Sequence, residues 1–265
     1  MILEEFDDSQ VALFNAFDHY PKVEGFPKTV VAFFSYVLME EFERVYKPET
    51  IMVLKSCSMD LPIYKINSNG IEIAVMHAPL GGPYIVEIFE EIISFGAKNV
   101  IICGSCGSLT TFDEHSIIIP TSAIRDEGTS YHYAPASDEI ELNKEVIEVI
   151  EGTLKEIGVH YTKGKTWTTD AIYRETAKKV ERRKAQGAIV VEMECASMTA
   201  FSQFRGINFG QLLYTADDLS TDEHDVRGLL NGDVSKKALV IPIALRCAAN
   251  IQKYFKNKAE QNNKK

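Results

Sequence analysis

Short apolar runs alternate along this chain with segments whose apolar residues recur at helical spacing. Runs rich in β-branched and aromatic residues predict strands over 29–34, 51–55, 63–66, 71–77, 100–103, 116–119, 160–166, 188–191 and 207–214. Asn67-Ser68-Asn69-Gly70 lies between two of them and predicts a hairpin, because Asn-Gly accepts positive φ at little cost. Helical spacing is clearest over 84–95, where Ile85, Ile88, Phe89, Ile92 and Ile93 share a face. Pro83 suits the first turn of that helix and Gly96 stops it. Further helices read at 144–157, 175–184, 195–204 and 234–256. Pro242 should kink or split the last, since a mid-helix proline costs about 3 kcal/mol. Strands alternating with helices, plus an early hairpin, predict a three-layer α/β/α single domain around a mixed central β-sheet. No repeat or long Pro/Gly/Ser linker interrupts residues 1–265, which form one domain with an N-terminal arm over 1–20 and a disordered tail over 257–265.

Composition narrows the classes. Hydrophobic residues make up 45% and charged residues 25% of 265 positions, the balance of a soluble globular chain with a sizeable core. No apolar stretch is long enough for a membrane span. The first residues turn acidic at Glu4, unlike a signal or transit peptide. The five cysteines are an odd count, four of them in apolar or Gly-rich contexts, which predicts reduced thiols in a cytoplasmic protein. Cys103 and Cys106 have C-x-x-C spacing, but no second pair or His cluster completes a site, so neither a metal nor an organic cofactor is expected. A net charge of −10 argues against a nucleic-acid partner, which would need a Lys/Arg surface.

The chemistry concentrates at two acidic pairs. Glu192-Met193-Glu194 follows the apolar run 188–191, and Asp217-Asp218 follows the strand over 209–214. Open α/β sheets bind ligands beyond the carboxyl ends of their strands, where both pairs fall. Carboxylates there can grip vicinal hydroxyls or handle a proton; they can also be solvated loop groups. The strand at 100–103 runs into Gly104-Ser105-Cys106-Gly107-Ser108, which suits either close backbone approach to a ligand or a tight turn. The run 125–135 is dense in polar and aromatic groups, a cleft wall, a subunit contact or a surface loop. In the run 166–175, Ile172 and Tyr173 could support a flat ring, while Trp167 reads as core.

In this order, Gly104-Ser105-Cys106-Gly107, the run 125–135, the segment from Trp167 to Tyr173, Glu192-Met193-Glu194 and Asp217 resemble the nucleoside phosphorylase family. That group holds purine nucleoside phosphorylases, uridine phosphorylases and nucleosidases. The similarity spans about residues 15–255; Val191 to Glu194 is its most specific motif, and the run 125–135 is most similar to uridine phosphorylases. The resemblance implies a nucleoside phosphorylase-like fold and cleavage of an N-glycosidic bond. Met193 and Glu194 would hold the ribose, with His19 reaching a neighbouring subunit's sugar. Glu192, Ile172, Tyr173 and Gly107 would lie against the base. Asp217 would protonate the leaving base, supported by Arg227, and its presence points to a purine. The partner implied is a small-molecule nucleoside, in a homo-oligomer, hexamer or dimer.

Two positions depart from the family. Its first phosphate loop, Gly-Asp-Pro-x-Arg, is replaced by Ser35-Tyr36-Val37-Leu38-Met39, and its second phosphate arginine by Ile102. Ser105, Arg125 and Lys55 remain as candidate phosphate ligands. Each lost charge-assisted contact removes about 1.5–3 kcal/mol of anion binding. Phosphorolysis, a pentosyltransferase reaction of purine salvage with inorganic phosphate as co-substrate, is the leading expectation. Phosphate-independent hydrolysis by a nucleosidase is the alternative, and a non-catalytic nucleoside-binding protein the third reading.

Overall fold

The computed structural model describes residues 2–221, 224–227 and 234–262. Its strands are β1 (Thr29–Phe33), β2 (Glu49–Lys55), β3 (Asp60–Ser68), β4 (Ile71–His77), β5 (Asn99–Ser108), β6 (Ile117–Asp126), β7 (Glu139–Glu141), β8 (Tyr161–Thr169), β9 (Ala188–Glu192) and β10 (Asn208–Asp218). The helices are α1 (Ala16–His19), α2 (Tyr36–Tyr46), α3 (Gly82–Phe95), α4 (Lys144–Glu156), α5 (Ala177–Ala185), α6 (Cys195–Arg205), α7 (Val234–Ala238) and α8 (Val240–Asn262).

All these strands join one mixed sheet in the order β10-β6-β8-β9-β5-β1-β4-β3-β2, with β7 beside β6. A further pairing of β10 with β5 closes β5, β10, β6, β8 and β9 into a ring. The strands β1, β4, β3 and β2 extend from that ring as an open wing. Parallel pairing joins β1 to β4 and β5, β5 to β10, β6 to β8 and β8 to β9. Helices α4 and α8 pack together against β1, β5 and β10, while α6 packs on β6, β8 and β10 with α3 beside it. The core between them is apolar, built from Val30, Val31, Ile88, Phe89, Ile101, Phe201, Leu212, Ala244 and Ala248. The mixed α/β sheet agrees with the sequence reading; its closure into a ring is a tertiary addition.

Several elements differ from their sequence-based boundaries. The predicted hairpin forms, with Asn69 and Gly70 both at positive φ between the paired Ser68 and Ile71. The last helix does split, but at Leu239. Pro242 then falls in the first turn of α8, where its missing N–H has no intrahelical partner to lose. The tail is not disordered as expected: α8 runs to Asn262, and Lys258 Nζ lies 2.6 Å from Glu145 Oε2. Residues 263–265 lie outside the described residues.

Helix α2 had no counterpart in the sequence reading. Ser35 Oγ caps it by accepting from the Leu38 N–H, and Leu38, Met39 and Phe42 turn inward. The Gly-rich stretch is no turn, because β5 continues to Ser108. Cys103 and Cys106 are both buried in that strand. Three residues apart on a strand, they face opposite sides, which denies them shared redox or metal chemistry.

Gly210 on β10 shows how tightly the layers meet. A Cβ there would come 2.8 Å from both Ile150 and Val146 of α4 and 3.0 Å from Ile101. Gly210→Ala is therefore expected to lower stability by about 1–3 kcal/mol, the usual cost of overpacking. Denaturant titration reads this, and an unchanged midpoint would show that α4 yields.

Candidate active site

Gly107 brings together the strands that carry the two acidic pairs. It pairs with Asp217 of β10 on one side and with Val191 of β9 on the other. A register shift in β10 between Thr215 and Asp217 inserts Ala216 as an extra residue. Such a bulge re-aims the side chains beyond it. A Cβ on Gly107 would lie 2.6 Å from Leu219, 3.0 Å from Val191 and 3.4 Å from Asp217 Oδ1. Glycine is thus required for the approach of strand ends rather than for a turn. Gly104 serves likewise, since the Phe34 ring lies 2.6 Å from where its Cβ would stand.

The two glutamates of the motif do different work. Glu192 was expected beside the base; its carboxylate instead faces inward and is consumed by the fold. Oε1 accepts from Thr168 Oγ1 at 2.6 Å and Thr166 Oγ1 at 3.2 Å. Oε2 accepts from the backbone N–H groups of Glu194 and Cys195 at 2.8 and 2.6 Å, tying β9 to the start of α6. Burial pushes this carboxyl up in pKa, and the donors from Thr168, Glu194, Cys195 and Gln211 oppose that.

Glu194 is also buried but keeps free acceptor capacity. Its Oε1 takes one hydrogen bond, 2.7 Å, from the N–H of Gly81 at the start of α3. Burial first, then the neighbouring Glu192, pushes its carboxyl up to about 8. Met193 between them is half-buried.

Asp217, nearly buried, meets His224 at 2.8 Å from Oδ2 to Nε2. This corrects the support expected from Arg227, whose guanidinium pairs with the carboxylate of Asp218 and donates to the Phe112 carbonyl. Asp217 and Asp218 project to different sides, so adjacent acids have separate partners. Burial, then Asp217, pushes the Glu175 carboxyl up to about 7, with His224 and Lys179 opposing. Glu175 and His224 line a cleft of about 210 Å³.

The run 125–135 is a clamp. Arg125 was a candidate phosphate ligand, but Nε donates to Ser130 Oγ, Nη1 to the Pro135 carbonyl and Ser137 Oγ, and Nη2 to the Ala134 carbonyl. The guanidinium also covers the Tyr131 ring, 4.1 Å from its centroid. With each nitrogen engaged, it staples its own segment. Glu127 accepts from Ser130 N–H at 2.9 Å and Ser197 Oγ at 2.6 Å, and Asp170 accepts from Gly128 N–H at 2.9 Å. Both acids line a hollow of about 710 Å³ with Arg125, Asp126 and Tyr131.

The other candidates are scattered. Ser105 is half-buried in β5 opposite Tyr214, and Lys55 is exposed at the end of β2. Ile172 and Tyr173 sit in a short 3-10 helix with Tyr173 96% exposed, so the chain alone does not cover them. His19 is exposed on α1 and stacks on Phe14, away from the acids in its own chain. Trp167 is core as expected, its indole N–H donating to Asp126 at 3.0 Å. Met39 and Ile102 are buried apolar residues.

His77, at the end of β4, carried no sequence signal. Both its ring nitrogens lack a partner among the described residues, Tyr36 stacks on it at 3.9 Å, and burial lowers its pKa. His224 and Glu175 were also passed over. The spacing of seven from Asp217 to His224 was visible, but the irregular segment between them hid its meaning.

A sequence profile described as "Phosphorylase superfamily" matches residues 37–247. The chain belongs to the phosphorylase superfamily. Among its relatives, purine nucleoside phosphorylase DeoD-type of Bacillus cereus is 29% identical over 162 residues, covering 58% of this chain and 67% of that protein. The same protein of Bacillus thuringiensis matches equally. Among solved structures, purine nucleoside phosphorylase from Toxoplasma gondii in complex with immucillin-H superposes with a TM-score of 0.73 at 21% identity, covering 89% of this chain and 97% of that one. AMP nucleosidase from Bacteroides thetaiotaomicron gives 0.68 at 19% identity, covering 86% and 90%. The likeness to these solved structures is one of fold. Among the described residues, no helix is long and apolar enough to cross a membrane, and no three His, Cys, Asp or Glu side chains group as metal ligands.

Glu194 gives this superfamily site a measurable signature. Its carboxyl is raised from an ordinary 4.5 to about 8, so between these pH values the folded chain keeps a proton that the unfolded chain has lost. Stability therefore falls as pH rises through that window. Glu194→Gln removes the dependence. Its melting temperature, relative to the unsubstituted protein without nucleoside, should be higher at pH 8 than at pH 5. Equal differences at both pH values would place Glu194 in water.

Proposed function

We propose that the chain cleaves the N-glycosidic bond of a purine nucleoside, with water as the pentosyl acceptor. The observation that carries the cleavage is the convergence at Gly107, which sets Asp217 beside the end of the strand that leads to Glu194. Glu194 accepts hydrogen bonds from the ribose hydroxyls, and Met193 packs on the sugar. Asp217 donates a proton to the purine as the bond breaks.

Water as acceptor is supported by what stands at the departing positions. Met39 and Ile102 are buried in apolar surroundings, the Arg125 guanidinium is fully engaged, and burial lowers the pKa of His77 and so favours its neutral form. A caged phosphate needs forked or charged donors. Lys55 supports the second reading, phosphorolysis, because it is exposed at the end of β2 next to Ser56, which touches the Tyr84 hydroxyl near the start of α3. A homo-oligomer suits either reading, since Tyr173, Leu13 and Phe14 are left exposed.

Two measurements test this. Asp217→Asn should slow purine nucleoside cleavage at least ~100-fold, the scale of one general acid, and normal turnover would remove Asp217 from the mechanism. With the unsubstituted protein, free base should appear equally fast with and without phosphate, with ribose as the other product. Ribose 1-phosphate formed only when phosphate is added would make the chain a phosphorylase.

A further inference from the structure

The Asp217–His224 pair reaches beyond the reaction just proposed and rests on it. Asp217 is a poor place to reload a proton, because its side chain is only 11% exposed. His224, bonded to it at 2.8 Å, is 48% exposed and faces the cleft that opens to solvent. The segment carrying His224 is pinned to the sheet. Asp218 and Asp225 exchange both backbone hydrogen bonds at 2.9 Å, and Arg227 ties Asp218 to the Phe112 carbonyl. An imidazole held between water and a buried carboxylate is placed to carry protons, and imidazole is the side chain that exchanges them near neutral pH.

We propose that His224 is a proton relay that recharges Asp217 from solvent in each turnover. The imidazolium passes its Nε2 proton to Asp217 Oδ2. Asp217 passes that proton to a ring nitrogen of the base as the C–N electron pair leaves with the base. Water adds to the sugar carbon and releases one proton to solvent, and the imidazole takes one proton back. The cycle consumes nucleoside and water and yields base and sugar, with no net proton.

Other groups face the pair. From β5, Cys106 lies close to Asp217, but burial pushes its thiol well up in pKa, so it keeps its proton. From the side of α5 come Glu175, Lys179, Glu181 and Lys184, with Glu175 felt by both Asp217 and His224. On the same segment, Asp218, Asp225 and Arg227 satisfy one another. Asp222 and Glu223 lie outside the described residues. Of these, His224 is the group bonded to Asp217.

The test is the pH dependence of kcat on a purine nucleoside in three variants, with melting temperatures to verify folding. His224→Gln should lose at least ~10-fold in kcat at pH 7.5, less than the ~10²–10⁴ of the acid itself, with KM changed little. Its activity should recover toward acid pH, where solvent supplies protons without a relay. Free imidazole should restore part of the rate of His224→Ala and none of that of Asp217→Asn. A His224→Gln profile matching the unsubstituted protein overturns the relay. So does a loss equal at every pH with no imidazole rescue. If Asp217→Asn is impaired while His224→Gln is normal, only the relay fails; if Asp217→Asn turns over normally, the cleavage mechanism fails with it.

Discussion

The site depends on one position at which two strands pass a third closer than any side chain permits. Gly107 pairs with β9 and β10 at once, and its missing Cβ is filled by Leu219, Val191 and the edge of the Asp217 carboxylate. The ring of β5, β10, β6, β8 and β9 can close at its acidic end because of this approach. β9 and β10 run in opposite directions, and this approach sets Val191, which leads to the motif ending in Glu194, and Asp217 on either side of one residue. Backbone geometry sets how near the two acidic strand ends come, and the side chains inherit it.

Around that contact, the buried acids divide their labour by hydrogen-bond count. Glu192 and Glu127 spend their oxygens on backbone and hydroxyl donors and act as joints between strand, helix and clamp. Glu194 and Asp217 have fewer partners, chiefly the Gly81 N–H and the His224 ring, and keep capacity for a ligand. A carboxylate supplied with several donors has its lone pairs occupied, whereas one with few keeps lone pairs for a ligand. By this measure the groups left with capacity for a ligand are the second glutamate of the motif and the first aspartate of the later pair.

The apolar residues that stand where the resemblance implies phosphate ligands are built into the packing. Ser35 starts α2 directly after β1, and the inward turn of Leu38, Met39 and Phe42 commits that helix to the core. Ile102 is equally committed within β5. Restoring an arginine at either place would bury a charge among apolar neighbours, which costs several kcal/mol unless it is paired. The apolar residues at both places are thus held by the fold around them.

Periodicity and punctuation determined the alternating elements, the hairpin at Asn69-Gly70, the helix stop at Gly96 and the placement of both acidic pairs at strand ends. These signals are local, set by dihedral preference and by which face is apolar. The sequence did not show that β5 runs on through its glycines, that α8 continues through its polar tail, or that α2 exists. Glycine signals a turn only when no neighbour needs its space, and the tail is held by Lys258 reaching a helix more than a hundred residues away. Nor did it show that Arg227 serves Asp218 and His224 serves Asp217. A bulge of one residue reverses which side chain faces the cleft, and that choice is made by pairing across the sheet. Residue type fixed the chemistry available here; only the crossing of distant strands decided which groups are free to use it.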